Sequence, residues 1–471
     1  MKRTLRVALP VCLAVIAIYC GASYWLGVQA CQQYDRLIAQ INRSNLLAAV
    51  PGDYKRGLFS SSALTAFTLT RPGNEGSVTL DVVSSIHHGP FVFLNDSHFK
   101  GGLRPVLAVI KMKPALTAAH SDDALKKVLE AIPELESTEV LSIFFIDGSG
   151  ETYLDVPPFQ KKVPDANGGQ LDAQWSGLAA KSQFDARFEE ITGSWSSPFF
   201  QIAGPNKLIV RMKDFNGDFN SHSGIKGISV GSAALSVASI EGSEKDKSPF
   251  SLTSFGIKTE SGVSGETIGG SLLLSFDRLD AGGMAFGPFA MELEARKLDA
   301  EVLSRFEKLV RNIEAKAASG GQNDVSEPET EKAAEAILLE LLAKSPEFEI
   351  KQLKLNTEKG DLSGRAKLGF AFPMGIPSQN ILLLIASTDA SAELSISEAL
   401  GYFAAENLLR DAGQDAGSAK TNAEAIVKGL MDAKYVTSEG GSLKSSAAFK
   451  HGSLTINGRK LDLSSLKQFG K

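Results

Sequence analysis

Residues 62–70 read SALTAFTLT and residues 77–86 read SVTLDVVSSI. In both, apolar and polar side chains alternate, the period-2 pattern of a strand with one face on a core and the other in water. The texture recurs at 207–212, KLIVRM, and at 271–276, SLLLSF, with Gly, Asn and Asp between the runs. It fills the chain from Tyr54 to Arg296 and predicts a large β-rich region.

Beyond that region the period changes. Leu298, Val302, Phe306, Leu309, Val310 and Ile313 recur at helical spacing and predict a helix over Lys297–Ala317. Residues 318–330, ASGGQNDVSEPET, make a polar linker, and Glu331–Leu342 resumes a helical pattern. Strands are expected at Phe348–Leu355, Gly364–Phe372 and Ile381–Ser387, then helices at Ser397–Asp411 and Asn422–Ala433. Closing strands are expected at Ser442–Lys450 and Ser453–Leu463, with Asn457-Gly458 suited to a type I′ hairpin. A short helix is also expected at Asp122–Ala131, behind Ser121 as its N-cap. Strand runs on either side of a helical middle predict an α+β fold with C-terminal helices.

The N-terminus carries the other strong pattern. From Val7 to Leu26 the chain reads VALPVCLAVIAIYCGASYWL without a charge, long enough as a helix for a bilayer core of about 30 Å. Lys2, Arg3 and Arg6 precede it, while Tyr19, Tyr24 and Trp25 fall toward its far end. These features predict a single transmembrane helix, N-terminus cytoplasmic, with the bulk of the chain outside the cytoplasm. The run exceeds the usual apolar stretch of about 7–15 residues in a cleaved signal peptide, which favours an uncleaved anchor. Residues 1–27 are then a cytoplasmic stub and anchor, and 28–53 a juxtamembrane helix striped by Leu37, Ile38 and Ile41 and ended by Pro51-Gly52. A β-rich extracytoplasmic domain (54–317), the linker (318–330) and an α+β region (331–471) complete the expected division.

Composition excludes more than it assigns. The three cysteines, Cys12, Cys20 and Cys31, all lie near the start of the 471-residue chain, so no Cys-based zinc or redox site is available beyond them. Removing Lys2, Arg3 and Arg6 from the 49 basic residues leaves 46 against 54 acidic, a net of −8, which argues against nucleic-acid binding. Gly227-Ile228-Ser229-Val230-Gly231 has the spacing of a nucleophile elbow, but the run GISVGSAALSVASI predicts a strand where that motif needs a helix. Asp214-Phe215-Asn216-Gly217-Asp218 begins like a calcium loop; Phe219 and Ile225 stand where Gly and Glu are required, and a hairpin turn on Asn216-Gly217 is the simpler expectation. His87 and His88 would point to opposite faces of a strand, so with His98 and Asp96 they predict a structural turn rather than a metal site. Asp122, Asp123, Glu134, Glu136 and Glu139 fit solvated faces and cap charges. No catalytic, cofactor-binding or metal-binding residue is therefore assigned.

Four segments together resemble the YdgA family, a bacterial family of unknown biochemical function: YKRGLFSS (54–61), HGPF (88–91), MELEARKLDAEVLSRFEKL (291–309) and GSLTINGRKL (452–461). Their order runs through nearly the whole chain. Gly57, Phe59, His88, Gly89, Pro90, Phe91, Asn457 and Gly458 are the positions they single out, all fitting fold-defining turns rather than acid–base chemistry. His87 stands where the family motif would carry an acidic residue. The resemblance implies an inner-membrane protein with a periplasmic domain in a Gram-negative bacterium, and it carries no catalytic residues.

The expected function is accordingly a non-enzymatic, membrane-anchored envelope protein that binds an envelope protein or a second copy of itself, without cofactor or nucleic acid. The alternative is lipid handling in a sheet groove resembling that of AsmA-like proteins. A third, an envelope hydrolase, would have only Ser229 as its nucleophile.

Overall fold

The computed structural model describes residues 2–42, 47–70, 77–101, 105–115, 130–164, 169–205, 208–318, 327–371 and 381–461. Strand accounts for 56% and helix for 25% of it, so antiparallel β-structure dominates where the sequence predicts α+β. The chain divides into two units, Met1–His222 with Arg311–Gln322, and Ser223–Val310 with Asn323–Lys471. Two of the boundaries, 222/223 and 310/311, fall inside the expected 54–317 domain and the third, 322/323, falls in the expected linker 318–330, of which 319–326 lie outside the described residues.

The first unit is an antiparallel meander. Its strands are β1 (Leu47–Arg56), β2 (Ser60–Thr70), β3 (Ser77–His88), β4 (Ala108–Pro114), β5 (Glu139–Phe144), β6 (Gly150–Val156), β7 (Phe159–Pro164), β8 (Gln170–Trp175), β9 (Leu178–Phe184), β10 (Glu190–Ala203) and β11 (Ile209–Ser223). They pair in the order β1-β2-β3-β4-β5-β6-β9-β10-β11, and the β7–β8 hairpin joins through β8 to the far end of β10. One face is covered by α1 (Lys2–Ile41), whose Leu26, Ala30, Tyr34 and Ile38 meet Ile86, Ala108, Ile110 and Phe144 in one core. On the other face Val92, Phe99 and Val106, from the segment after β3, close over Val109, Leu141 and Ile143.

The transmembrane expectation is overturned here. Among the described residues no helix is long and apolar enough to cross a membrane, so the anchor, and the single-pass inner-membrane placement built on it, are not supported. The physical reason lies in how the helix is used. Ser23 is 0% exposed and Leu26 5%, and the Tyr19 hydroxyl donates to the Phe91 carbonyl at 3.0 Å. One face of Tyr19–Leu26 is thus bonded to and packed on protein, and the stretch left between Val7 and Ile18 rises only about 18 Å against the roughly 30 Å a bilayer core requires. The expected juxtamembrane helix is the tail of α1, and Pro51-Gly52 lies in β1, where the register shifts before Tyr54.

The second unit is a second meander of β12 (Ser229–Ser243), β13 (Phe250–Ser264), β14 (Thr267–Phe276), β15 (Arg278–Ala281), β16 (Met284–Asp299), β17 (Glu347–Thr357), β18 (Gly360–Phe370), β19 (Thr388–Ser397), β20 (Thr437–Glu439), β21 (Ser442–Lys450), β22 (Ser453–Ile456) and β23 (Arg459–Leu461). The order is β12-β13-β14-β16-β17-β18-β19-β21-β22-β23, with β15 bridging β13 and β16 and β20 on β21. Its helices are α2 (Ala300–Ala318), of which the part from Arg311 on belongs to the first unit, α3 (Glu327–Ala343), α4 (Ile381–Ser387), α5 (Glu398–Asp411) and α6 (Ala416–Asp432).

Three local expectations are corrected. Ile381–Ser387 is helix α4, not a strand; a short unbroken apolar run does not separate the two by period. Asn216-Gly217 makes no turn but lies within β11, where a Cβ on Gly217 would sit 2.0 Å from the Trp195 ring. Gly57 lacks the positive φ expected of it; its Cβ would instead meet the Ser60 carbonyl at 2.4 Å. Of the expected helix Asp122–Ala131, residues 122–129 lie outside the described residues.

Candidate functional site

The motif segments YKRGLFSS and HGPF converge at one end of the first unit. The β1–β2 turn closes through Gly57 N to the Ser60 carbonyl at 2.9 Å, and His88 N donates to the Phe59 carbonyl at 3.1 Å. His88 ends β3 beneath α1, 3% exposed. Its Nδ1 lies 3.2 Å from the Ser23 carbonyl and its Nε2 3.1 Å from Ser61 Oγ. A carbonyl can only accept, so Nδ1 carries the proton and Nε2 accepts from the Ser61 hydroxyl. Burial pushes the His88 pKa down, opposed by the Ser23 carbonyl and reinforced by His87 and Arg56. Gly27 rides on the imidazole, since a Cβ there would be 2.6 Å from Cε1. Gly89, at φ 141°, faces Ser23, Phe59 meets the Tyr19 ring at 5.8 Å, and Arg56 donates to the Tyr24 hydroxyl at 2.8 Å.

Serine bonded to the acceptor nitrogen of a histidine is the arrangement of an activated nucleophile. Here Ser61 is 6% exposed, and the ring it bonds is roofed by Gly27 and Ser23. The Ser61–His88 pair, buried and bonded on to the Ser23 carbonyl, fastens α1 to the β2–β3 hairpin. The sequence singles out His88, Gly89 and Phe59 but not Ser61, Ser23 or Gly27; the unbroken Ser60-Ser61 end of the first motif was the available signal.

The remaining weighed residues scatter. His87 takes the opposite face of β3 from His88, and burial and then Lys111 lower its pKa. His98 Nε2 contacts Asp155 at 2.6 Å and stacks on Tyr153 at 4.3 Å. Burial opposes the charge on Asp96, but hydrogen bonds led by Lys111 at 2.7 Å outweigh it and hold the carboxyl well below its usual range. Among the described residues, no three His, Cys, Asp or Glu side chains gather to hold a metal. Ser229 opens β12 with no helix behind it. Glu134 and Glu139 pair with Lys161 and Lys111 at 2.9 and 2.5 Å. Asn457 and Gly458, at φ 48° and 77°, form the two-residue connection of β22 to β23.

The second unit presents a different kind of site. Register aligns Leu272, Leu293, Ile350, Ala366, Ala392, Ala447 and Ile456 in one row across β14, β16, β17, β18, β19, β21 and β22. A parallel row holds Phe276, Phe289, Leu355, Leu362, Ile396 and Leu443. Cross-strand partners share a face, so this face is apolar over its whole width. The reverse face is ionic: Arg296 reaches Glu294, Glu347 and Glu349 at 2.5, 3.1 and 3.0 Å, and Lys367 meets Glu349 at 3.0 Å.

Helices reach the apolar face at its ends. At one, Ala300 of α2 closes on Val230 and Ile268. At the other, Gly401 of α5 lies so close to Leu443 that a Cβ would be 2.7 Å from its methyl. Between them Leu272, Leu293, Ile350 and Ala366 are only half-buried, and Leu368 and Leu394 are 37% and 44% exposed. Among the described residues this stretch stays open and holds a cavity of about 630 Å³ whose walls include Leu272, Leu293, Ala295, Phe348, Ile350 and Leu368.

The chain belongs to the family described as a bacterial protein of unknown function (DUF945), which matches residues 1–464. No curated protein and no solved structure matches the chain.

Proposed function

We propose that the chain is a YdgA-like member of this bacterial family that acts by binding rather than catalysis, and that it holds an aliphatic chain in the apolar trough of its second unit. The observation that carries this is the trough itself, open among the described residues, about 630 Å³ between β14 and β18. That volume lies within the range of ligand pockets, roughly 300–1,000 Å³. The row from Leu272 to Ile456 crosses seven strands, about 29 Å at the usual strand spacing. Half a bilayer's hydrocarbon thickness, the depth one acyl chain fills, is about 15 Å.

Alternative occupants fit less well. A partner helix about 10 Å across would fill 630 Å³ with only about one and a half turns. A partner strand needs a sheet edge, and the trough is a face. The carboxylates at its margin, Glu294 and Glu349, are held by Arg296 and Lys351 or Lys367 on the reverse face. An occupant therefore finds few polar partners and must bring few polar groups of its own.

The test is mass spectrometry of organic extracts from the purified full chain, with titration of a fluorescent polyene fatty acid into the delipidated protein. Aliphatic lipid should co-purify, and Ala366→Trp, which fills the trough floor, should abolish fatty-acid binding while leaving the circular dichroism unchanged. Lipid-free protein that ignores the probe sinks this reading. Self-association abolished by the same substitution would instead return the face to a second copy of the chain.

A further inference from the structure

The reverse face of the same sheet carries a second cavity, about 720 Å³, with four cationic side chains on its walls, Lys351, Lys354, Arg365 and Lys444, against one carboxylate, Glu393. Register sets out its floor. Lys354 pairs with Ser363, Ser363 with Ser395, and Ser395 with Lys444. The row thus runs cation, hydroxyl, hydroxyl, cation over three strand steps, about 14 Å. Each lysine has a flexible four-carbon stem that can bring its ammonium toward the two serines.

Most of the charge is already engaged. Arg365 holds Glu393 at 2.7 Å, Lys444 holds Glu439 at 2.7 Å, and Lys351 reaches Glu294 at 3.1 Å. Among the described residues Lys354 has no carboxylate partner, and the Ser363 and Ser395 hydroxyls beside it make no hydrogen bond within the chain. The wall is fixed by Asn457, which accepts from Ser446 N at 2.8 Å and donates to the Lys434 and Tyr435 carbonyls at 3.1 Å. A hairpin asparagine in the C-terminal motif thereby fixes one wall of a pocket whose cationic side chains outnumber its carboxylates four to one.

We infer that this pocket is an anion site for a phosphoryl group, seated over Ser363 and Ser395 between Lys354 and Lys444. A phosphoryl group supplies several oxygens that accept from both hydroxyls and both ammonium groups at once. The site lies on the opposite face from the aliphatic trough and does not depend on it.

The experiment is calorimetric titration of inorganic phosphate into the full chain at constant ionic strength, with sodium chloride as the balancing salt. Saturable binding is expected, weakened on the order of tenfold or more in Lys354→Gln/Lys444→Gln through loss of two charge-assisted hydrogen bonds. Ser363→Ala/Ser395→Ala should weaken it less. All four positions sit at a solvated face, so circular dichroism should match the parent, and Ala366→Trp in the trough should bind phosphate as the parent does. Vesicles of phosphatidylcholine, with and without phosphatidic acid, tell the source. Phosphate-competed binding to the acidic vesicles assigns the group to a lipid headgroup, and its absence, with phosphate still bound, assigns it to a soluble ester. Absence of saturable phosphate binding, or equal affinity in Lys354→Gln/Lys444→Gln, overturns the site.

Discussion

Replacing Gly27 by alanine tests how α1 is seated. An added Cβ would lie 2.6, 2.9 and 3.1 Å from Cε1, Nδ1 and Nε2 of His88. The ring cannot easily give way, because the Ser23 carbonyl and Ser61 Oγ hold its two nitrogens at 3.2 and 3.1 Å. Overpacking of this kind costs about 1–3 kcal/mol, while alanine in a helix interior gains about 1 kcal/mol over glycine. Gly27→Ala alone should therefore be neutral to destabilising by about 2 kcal/mol. In a His88→Ala background the obstacle is gone, and the same substitution should stabilise by about 1 kcal/mol. The coupling between the sites, about 1–3 kcal/mol, is the quantity to measure. Urea unfolding of the four proteins, followed by circular dichroism, supplies it. The two units need not unfold together, so each transition is fitted separately. If Gly27→Ala stabilises equally with and without the imidazole, α1 does not pack on His88 and the first unit's core is misassigned.

Leu26→Ala removes a side chain 5% exposed in the first unit's core and should cost about 2–4 kcal/mol; an unchanged melting curve would mean that this turn of α1 leaves the sheet. Burial lowers the pKa of His88, and likewise of His87, so the unfolded chain takes up these protons first. Their contribution is complete above the ordinary histidine range near pH 6.5 and is lost as pH falls through and below it. The parent's melting temperature should then drop more steeply than that of His88→Gln between about pH 6.5 and 5, and parallel curves would remove His88 from the account. A chain stripped of lipid should melt earlier, and restoring ligand should recover stability with the logarithm of its concentration; indifference of the melting temperature to added fatty acid would contradict the trough.

Local patterns in the sequence carry the strands well, because alternation such as SALTAFTLT has a single geometrical meaning. Their limits are equally physical. A run apolar on every side, like Val7–Leu26, has no preferred face, and the stripe Leu26, Ala30, Tyr34, Ile38 crosses the point where the pattern divides anchor from juxtamembrane helix. Asn216-Gly217 is a strong turn signal locally, and only the pairing of Gly217 with Trp195 reveals why glycine is there. The site suffers most. His88 and Gly89 stand out in a motif, but Ser61 and Ser23 join them through contacts 27 and 65 residues away in sequence. The trough belongs to no segment at all, since its rows exist only once seven strands take their registers.

The two units apply one architecture to opposite ends. Each is an antiparallel meander with an apolar face, and such a face must lose its contact with water if burial is to contribute its usual ~1.5–3 kcal/mol per large side chain. The first unit meets this with α1, and Ile86, Ile110 and Phe144 are 0% exposed. The second unit has helices to spare, yet they reach the apolar face at its Ile268 and Leu443 ends and leave Leu293, Ile350 and Leu368 between them in partial contact with solvent. A sheet stabilised by its own ladders and by the Arg296–Glu349–Lys367 ion pairs on its reverse face can carry that exposed surface. Exposure on this scale is a liability for aggregation unless something covers it. An occupant that comes and goes resolves the conflict, because the face is shielded while loaded and remains accessible for exchange, whereas a helix packed permanently across it would abolish the trough.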